Sequence, residues 1–279
     1  SAAFNLPNQF IDTFSDDTNL GTQTDVDRLN GYVASITSVT GNDSNTTFLL
    51  SSDTNPATDI SASGMSVTAS GLTYSSTYAK FGTYSWYFPA SGSNKFTFGS
   101  ASDSEHEWFG TASGTAANAT VELWYNSAGF TTDCRFWTKV TGSNYQHYSR
   151  PNGNFNSPAI SGGPLGGNNT WIPSDNNWHH YAWDMYSNVM KFYLDGVLKA
   201  TSSTNTGTPV GNNSANLIFG NSSDGSQRLG GYVDTMRISN VSRYSGASSI
   251  TPPTTATYDT GSSSATGTLI QSANTVGSS

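Results

Sequence analysis

The chain has 279 residues, 13% of them aromatic and only 11% charged, with a formal net charge of −8 and a pI near 4.7. That aromatic content can build a core, which excludes wholesale disorder, while eleven scattered Lys and Arg against nineteen acids exclude a phosphate-binding surface for nucleic acid. One Cys excludes an internal disulfide or a thiolate zinc site, and no apolar run is long enough to insert in a bilayer as a helix. Ser, Thr, Asn and Gly make up 134 of the 279 residues and Glu only three. Helix surfaces favour Glu, Lys, Ala and Arg, so a surface filled with turn and strand-face residues predicts an all-β protein.

In chain order, residues 1–44 read as an N-terminal arm, an assembly or packing segment. Its apolar residues (Phe4, Leu6, Phe10, Ile11, Phe14, then Val26 to Val39) are thin, and Asp12 to Asp27 is acidic and turn-like. Residues 45–258 carry the strand signals and read as one β-sandwich. Short apolar or alternating runs occur at 47–50, 65–70, 84–88, 95–98, 120–125, 134–140, 178–186, 190–194, 197–200, 216–220 and 231–238, each bounded by Gly, Pro, Asn, Asp or Ser. Asp195-Gly196, between Lys191–Leu194 and Val197–Ala200, supplies the positive φ angles of a tight hairpin. Residues 150–177 are rich in Gly, Asn and Pro and read as a long loop, a feature that tends to be functional in compact domains. Residues 259–279 form a polar C-terminal tail with one apolar pair, Leu269-Ile270, suited to adding a strand to a neighbouring subunit.

Alternation assigns faces. Val121, Leu123 and Tyr125 share one side, Glu122 and Trp124 the other. His179 and His180 point to opposite sides and cannot chelate one ion together. Asp234 is expected to face inward with Met236 and Ile238, and so to need backbone or Arg donors. Glu122, alone within a strand, predicts a cross-strand hydrogen bond or ion pair. Glycoside hydrolysis needs two facing carboxylates. The nearest feature is Glu105-His106-Glu107, where Phe109 and Gly110 stand in place of a third acid. It reads as a solvated acidic loop, so no catalytic residue is assigned and the chain is expected not to be an enzyme. No nucleophile elbow of the Gly-x-Ser-x-Gly kind occurs.

A set of motifs then appears in order. It runs Trp178-His179-His180-Tyr181-Ala182, Lys191 to Val197 around Asp195-Gly196, Leu217-Ile218-Phe219-Gly220, Gly231-Tyr232-Val233-Asp234-Thr235-Met236-Arg237-Ile238-Ser239, Arg243-Tyr244 and Pro252-Pro253. Together with Phe48-Leu49-Leu50 and Thr120 to Trp124, this set resembles the laminin-G-like, concanavalin A-like lectin/glucanase superfamily. The resemblance implies a jelly-roll β-sandwich of two antiparallel sheets, with the arm and tail flanking it. It implies no cofactor other than calcium, held in some members by loop oxygens. Candidates for such a site are Asp12, Asp16, Asp17, Asp25 and Asp27 in the arm and Asp53, Asp59, Asp175 and Asp224 in loops, with no ligand set assigned. It also implies glycan binding, in which aromatic rings stack on sugar C–H faces. Trp171 beside Asn168, Asn169 and Asp175, with Tyr145 and His147 upstream and Trp108 in a second loop, is the resulting candidate constellation. The opening and closing motifs and the tail also resemble structural proteins of marine tailed bacteriophages. That likeness implies an extracellular or virion-surface location, other assembly subunits and self-association as partners, and a host surface glycan as ligand, without membrane insertion.

Overall fold

The computed structural model describes residues 44–50, 52–53, 57–61, 63–99, 118–127, 134–141, 173, 175–202 and 216–254, together with strands at 26–29, 32–35, 145–149, 155–156 and 270–271. Among these residues there are strands and turns and no helix. Residues 1–39 with 262–279 form one compact unit and residues 40–261 another.

The smaller unit holds a three-stranded antiparallel sheet, with strands numbered in chain order. β1 (Val26–Leu29) pairs with β2 (Tyr32–Ser35), and β17 (Ile270–Gln271) adds to β2 with Ile270 opposite Val33. The tail therefore supplies a strand to the arm of its own chain.

The larger unit is built on two antiparallel sheets. The eight-stranded sheet runs β14 (Val197–Thr201), β13 (Val189–Leu194), β12 (Trp178–Tyr186), β8 (Ala119–Ser127), β16 (Gly231–Ser239), β6 (Ser85–Phe88) and β5 (Thr73–Ser75). Its remaining strand, β3 (Thr46–Leu50), pairs with the far half of β16. The six-stranded sheet runs β11 (Phe155–Asn156), β10 (Tyr145–Ser149), β9 (Trp137–Thr141), β15 (Leu217–Phe219), β7 (Lys95–Phe98) and β4 (Val67–Ser70). All eleven strands predicted from sequence are present. Two-residue turns at Ser187-Asn188 (φ 49° and 67°) and Asp195-Gly196 (φ 51° and 80°) join β12 to β13 and β13 to β14. Both central residues of each turn have the positive φ that matches the strand twist.

The core fills the space between the sheets. Phe48, Trp86, Phe88, Phe96, Phe98, Val121, Leu123, Tyr125, Phe136, Trp137, Tyr181, Trp183, Phe192 and Phe219 are all buried there. Rings meet mainly edge to face, as their quadrupoles favour. Trp137 and Trp183, for example, lie 4.6 Å apart at 76°.

Inward-facing Asp234 is corrected by the structure. Asp234 stands opposite Trp124 but Met236 stands opposite Leu123, so Thr235, at φ 45°, is a bulge. One extra residue resets the alternation. Val233, Met236 and Ile238 enter the core. Asp234 and Arg237 share the other face with Trp124 and Glu122.

Candidate functional site

That other face of the eight-stranded sheet carries three carboxylates, Glu122, Asp184 and Asp234. It is a second, covered layer. Trp124 packs with Leu49, Phe81 and Trp178, and the Lys80 ammonium lies 4.0 Å from the Trp124 ring centre. Tyr244, from the segment after β16, packs with Ala182 and Tyr193.

Glu122 lies between these clusters, wholly buried with Arg237 and His180. Its Oε1 accepts from Arg237 Nε at 2.7 Å and from Arg237 Nη2. Its Oε2 accepts from the Tyr244 hydroxyl and faces His180 Nε2 at 3.1 Å. Burial alone would raise the Glu122 carboxyl, but the Arg237 charge and the His180 and Tyr244 hydrogen bonds outweigh it and hold the group well below the usual carboxylate range. The predicted cross-strand partner is thus Arg237, directly opposite in register. Asp184 accepts from the hydroxyls of Thr120 at 2.6 Å and Ser242 at 2.7 Å, and from Arg243 N at 3.1 Å. Asp234 accepts from Ser52 Oγ at 2.6 Å and from the backbone of Lys80 and Phe81 at 2.8 and 3.0 Å. Burial pushes both Asp carboxyls up despite these donors.

A second acidic group sits where the 150–177 segment enters β12. His179 Nδ1 is 2.6 Å from Asp195 Oδ2 on the hairpin, and His179 Nε2 is 3.0 Å from Asp175 Oδ1. Asp175 also accepts from Asn177 N at 3.0 Å, and Asp195 accepts from His180 N at 2.9 Å. Both ring nitrogens face carboxylates, so only the doubly protonated ring donates to both. The Asp195 hydrogen bond, opposed by partial burial and helped by Asp175, raises the His179 pKa. Asp175 is held low, first by its His179 bond and then by Asn177.

Of the sequence-predicted glycan residues, Asp175 is therefore placed in this clamp, exposed at the surface. Tyr145 and His147 lie on β10, opposite Thr141 and Lys139 in register. Trp108, Asn168, Asn169 and Trp171, like Glu105 and Glu107, lie outside the described residues. Among the calcium candidates, Asp53 accepts from Thr83 N and Tyr84 N, both at 2.9 Å. Asp59 accepts from Leu49 N, Ser61 N and Met65 N. The side chains of the arm aspartates lie outside the described residues. Among the described residues no three His, Cys, Asp or Glu gather as a metal site. Sequence reasoning missed a polar cavity of about 250 Å³ lined by Arg135, Thr138 and the turn Ser222–Gln227. Ser, Asp and Gln carry no contrast in a chain this rich in polar residues.

A family model described as the concanavalin A-like lectin/glucanases superfamily matches residues 108–245. No curated protein matches the chain by sequence. Among solved structures, domain 4 of AbnA, a GH43 extracellular arabinanase from Geobacillus stearothermophilus in complex with arabinotriose, superposes with a TM-score of 0.53 at 17% identity. The match covers 71% of this chain and 93% of that one. The binding domain of Paraclostridial Mosquitocidal Protein 1 superposes at 0.50 with 12% identity over 71% of this chain, which spans about half of that one (49%). With two facing antiparallel sheets, one ring-filled core and these neighbours, the chain carries a concanavalin A-like jelly-roll β-sandwich.

Proposed function

We propose that this protein is a non-catalytic adhesion module of an extracellular particle, a bacteriophage virion component that recognises a host surface glycan and associates with other subunits and with itself. The observation that carries the non-catalytic part is the fate of Glu122, Asp184 and Asp234. Each is buried and engaged by internal donors. A glycosidase instead needs one carboxyl poised to give a proton and a second open to the sugar or to water. The adhesion part is supported by the fold, by the polar and weakly charged surface, and by the clamp that fixes the exit of the Asn- and Gly-rich 150–177 segment. The virion part is supported by the resemblance of the opening and closing motifs and the tail to structural proteins of tailed bacteriophages.

The glycan test is binding of purified chain to host cell-surface polysaccharide, with Trp171→Ala as the variant. Retention by wild type and at least tenfold weaker retention by the variant support recognition through this segment. No retention on any host polysaccharide, or release of reducing ends from it, overturns the reading. Electron microscopy tests the assembly part. Regular particles or filaments support it, and a monodisperse monomer that never labels virions overturns it.

A further inference from the structure

We infer that the cavity beneath the Ser222–Gln227 turn is a monosaccharide subsite, one that takes the ring of a neutral hexose with adjacent free hydroxyls. This rests on the glycan-binding reading but places the contact away from the 150–177 segment. The cavity opens beside the start of β9, next to β15, and is lined by Arg135, Thr138, Ser222, Ser223, Asp224, Ser226 and Gln227. At about 250 Å³ it lies just under the ~300–1,000 Å³ of sites for drug-sized ligands, which leaves room for one ring and not for a chain.

Three observations point to a polyol. First, Thr138 is 3% exposed and its Oγ1 is buried without a hydrogen-bond partner, although it lines the cavity. A buried hydroxyl left unpaired is costly, and a turn of the Thr138 side chain about χ1 brings it to the cavity, where an incoming hydroxyl removes that cost. Second, Asp224 is aimed by its own turn. Its Oδ1 accepts from Ser222 Oγ at 2.5 Å, Ser226 N at 3.0 Å and Ser226 Oγ at 2.7 Å. These bonds all fall on Oδ1, and Asp224 lines the cavity. These bonds, led by that from Ser222, depress the carboxyl to about 2, so it is ionised at any physiological pH. Third, the frame is rigid before any ligand arrives. Ser222 Oγ also accepts from Gln227 N at 3.0 Å, Gln227 Oε1 accepts from Arg135 Nε at 2.7 Å, and Leu229 N closes the turn onto Gly220 O at 2.7 Å. Little ordering entropy is then left to lose on binding. Among the described residues the lining has no aromatic ring and holds one cation and one anion, which disfavours both a nucleobase and a strongly charged ligand. Sugar hydroxyls donate and accept at once, and this lining offers both roles at fixed positions.

The test is a titration of full-length protein with methyl α- and β-glycosides of glucose, galactose and mannose, followed by ligand-observed NMR. Variants are Thr138→Val, Asp224→Asn and Trp171→Ala, each checked for an unchanged melting temperature. At least one glycoside is expected to bind in the millimolar range. Thr138→Val and Asp224→Asn should each weaken it at least tenfold, and Trp171→Ala less than twofold. The subsite is overturned if no glycoside binds at 50-fold less than molar concentration (about 20 mM), where a millimolar site is well occupied. It is also overturned if binding survives Thr138→Val and Asp224→Asn, or if calcium alone binds there. Loss only in Trp171→Ala overturns the subsite while leaving glycan recognition by the 150–177 segment in place.

Discussion

Replacing Glu122 by Ala removes the anion from a fully buried cluster and leaves the buried Arg237 guanidinium without it. It also strips the acceptor from the Tyr244 hydroxyl and His180 Nε2. Breaking a buried pair by removing one partner costs about 3–5 kcal/mol, chiefly because the surviving charge is stranded. In a domain of roughly 150–250 residues each kcal/mol lowers Tm by about 2–4 °C, so Glu122→Ala should melt roughly 6–20 °C below wild type. The double variant Glu122→Leu, Arg237→Met removes both charges and should lose less than Glu122→Ala alone, since apolar replacement of a whole buried pair is often neutral. The pH dependence has a fixed sign. The folded-state pKa of Glu122 is depressed, so its contribution is present above the unfolded value of about 4.3 and disappears as pH falls through the folded value. Wild type should therefore lose stability steeply below about pH 4, and Glu122→Ala should have a flatter acid limb. Urea unfolding followed by Trp fluorescence measures all of this. A Glu122→Ala variant within about 1 kcal/mol of wild type, or a double variant as damaged as the two single losses added together, would refute the account of the cluster.

His179 gives the opposite pH sign. Its folded pKa is raised, so the clamp stabilises fully below the unfolded value of about 6.5 and weakens as pH rises through the folded value. The urea midpoint should fall between pH 6 and pH 9 in wild type and stay level across that range in His179→Phe; equal slopes in the two proteins would contradict the clamp. Gly196→Ala should cost more than about 1 kcal/mol, because φ is +80° and an added Cβ would stand 2.2 Å from the Ile250 carbonyl oxygen. Thermal melts should show it, with the loss of the Ile250 N to Gly196 O bond visible in amide exchange. Trp183→Ala, truncating a wholly buried ring that meets Trp137, Phe136 and Phe192, should cost about 3–5 kcal/mol. A loss under about 1 kcal/mol there would mean the ring is not part of a close-packed core.

The strands were legible because each is a short apolar or alternating run cut off by turn residues, and both layers of the core follow from that period. β5 and β10 were not. Thr-Tyr-Ser at 73–75 and Tyr-Gln-His-Tyr-Ser at 145–149 contain no aliphatic residue, and their pairing is set by their neighbours β6 and β9. The two-residue β11 inside the predicted 150–177 loop follows the same rule, held by β10. The bulge at Thr235 was also hidden. A β-branched residue at positive φ is unfavourable on local grounds, so nothing in the local sequence announces it, and the phase of Asp234 came out reversed. The clamp was half visible. Adjacent histidines on opposite faces were read correctly, but Asp175 and Asp195 meet His179 only because the hairpin folds back beside the start of β12.

The bulge also bears on where a ligand can bind. By turning Asp234 and Arg237 away from the ring-filled core, it places an acid and a base on the face that already holds Glu122, and it pairs Arg237 with Glu122. Such a face becomes buried only if its charges are matched, because an unmatched ion in a low-dielectric layer is costly. Here they are matched, and Tyr244, Phe81 and Lys80 cover them. Among the described residues, these groups cover the carboxylates of that face. The glycan recognition proposed above is then expected at loops, where backbone turns rather than strand faces aim the polar groups. The Asp175–His179–Asp195 clamp and the Asp224 turn are both exposed turns of that kind. In each, an Asp side chain bonded to its own loop backbone fixes the loop before any ligand arrives. Substitutions at the Asp224 turn should therefore alter binding with little effect on the melting temperature, and those at the Glu122 cluster should do the reverse. A Glu122 variant that binds polysaccharide tenfold more weakly at a temperature where it is still fully folded would contradict this division.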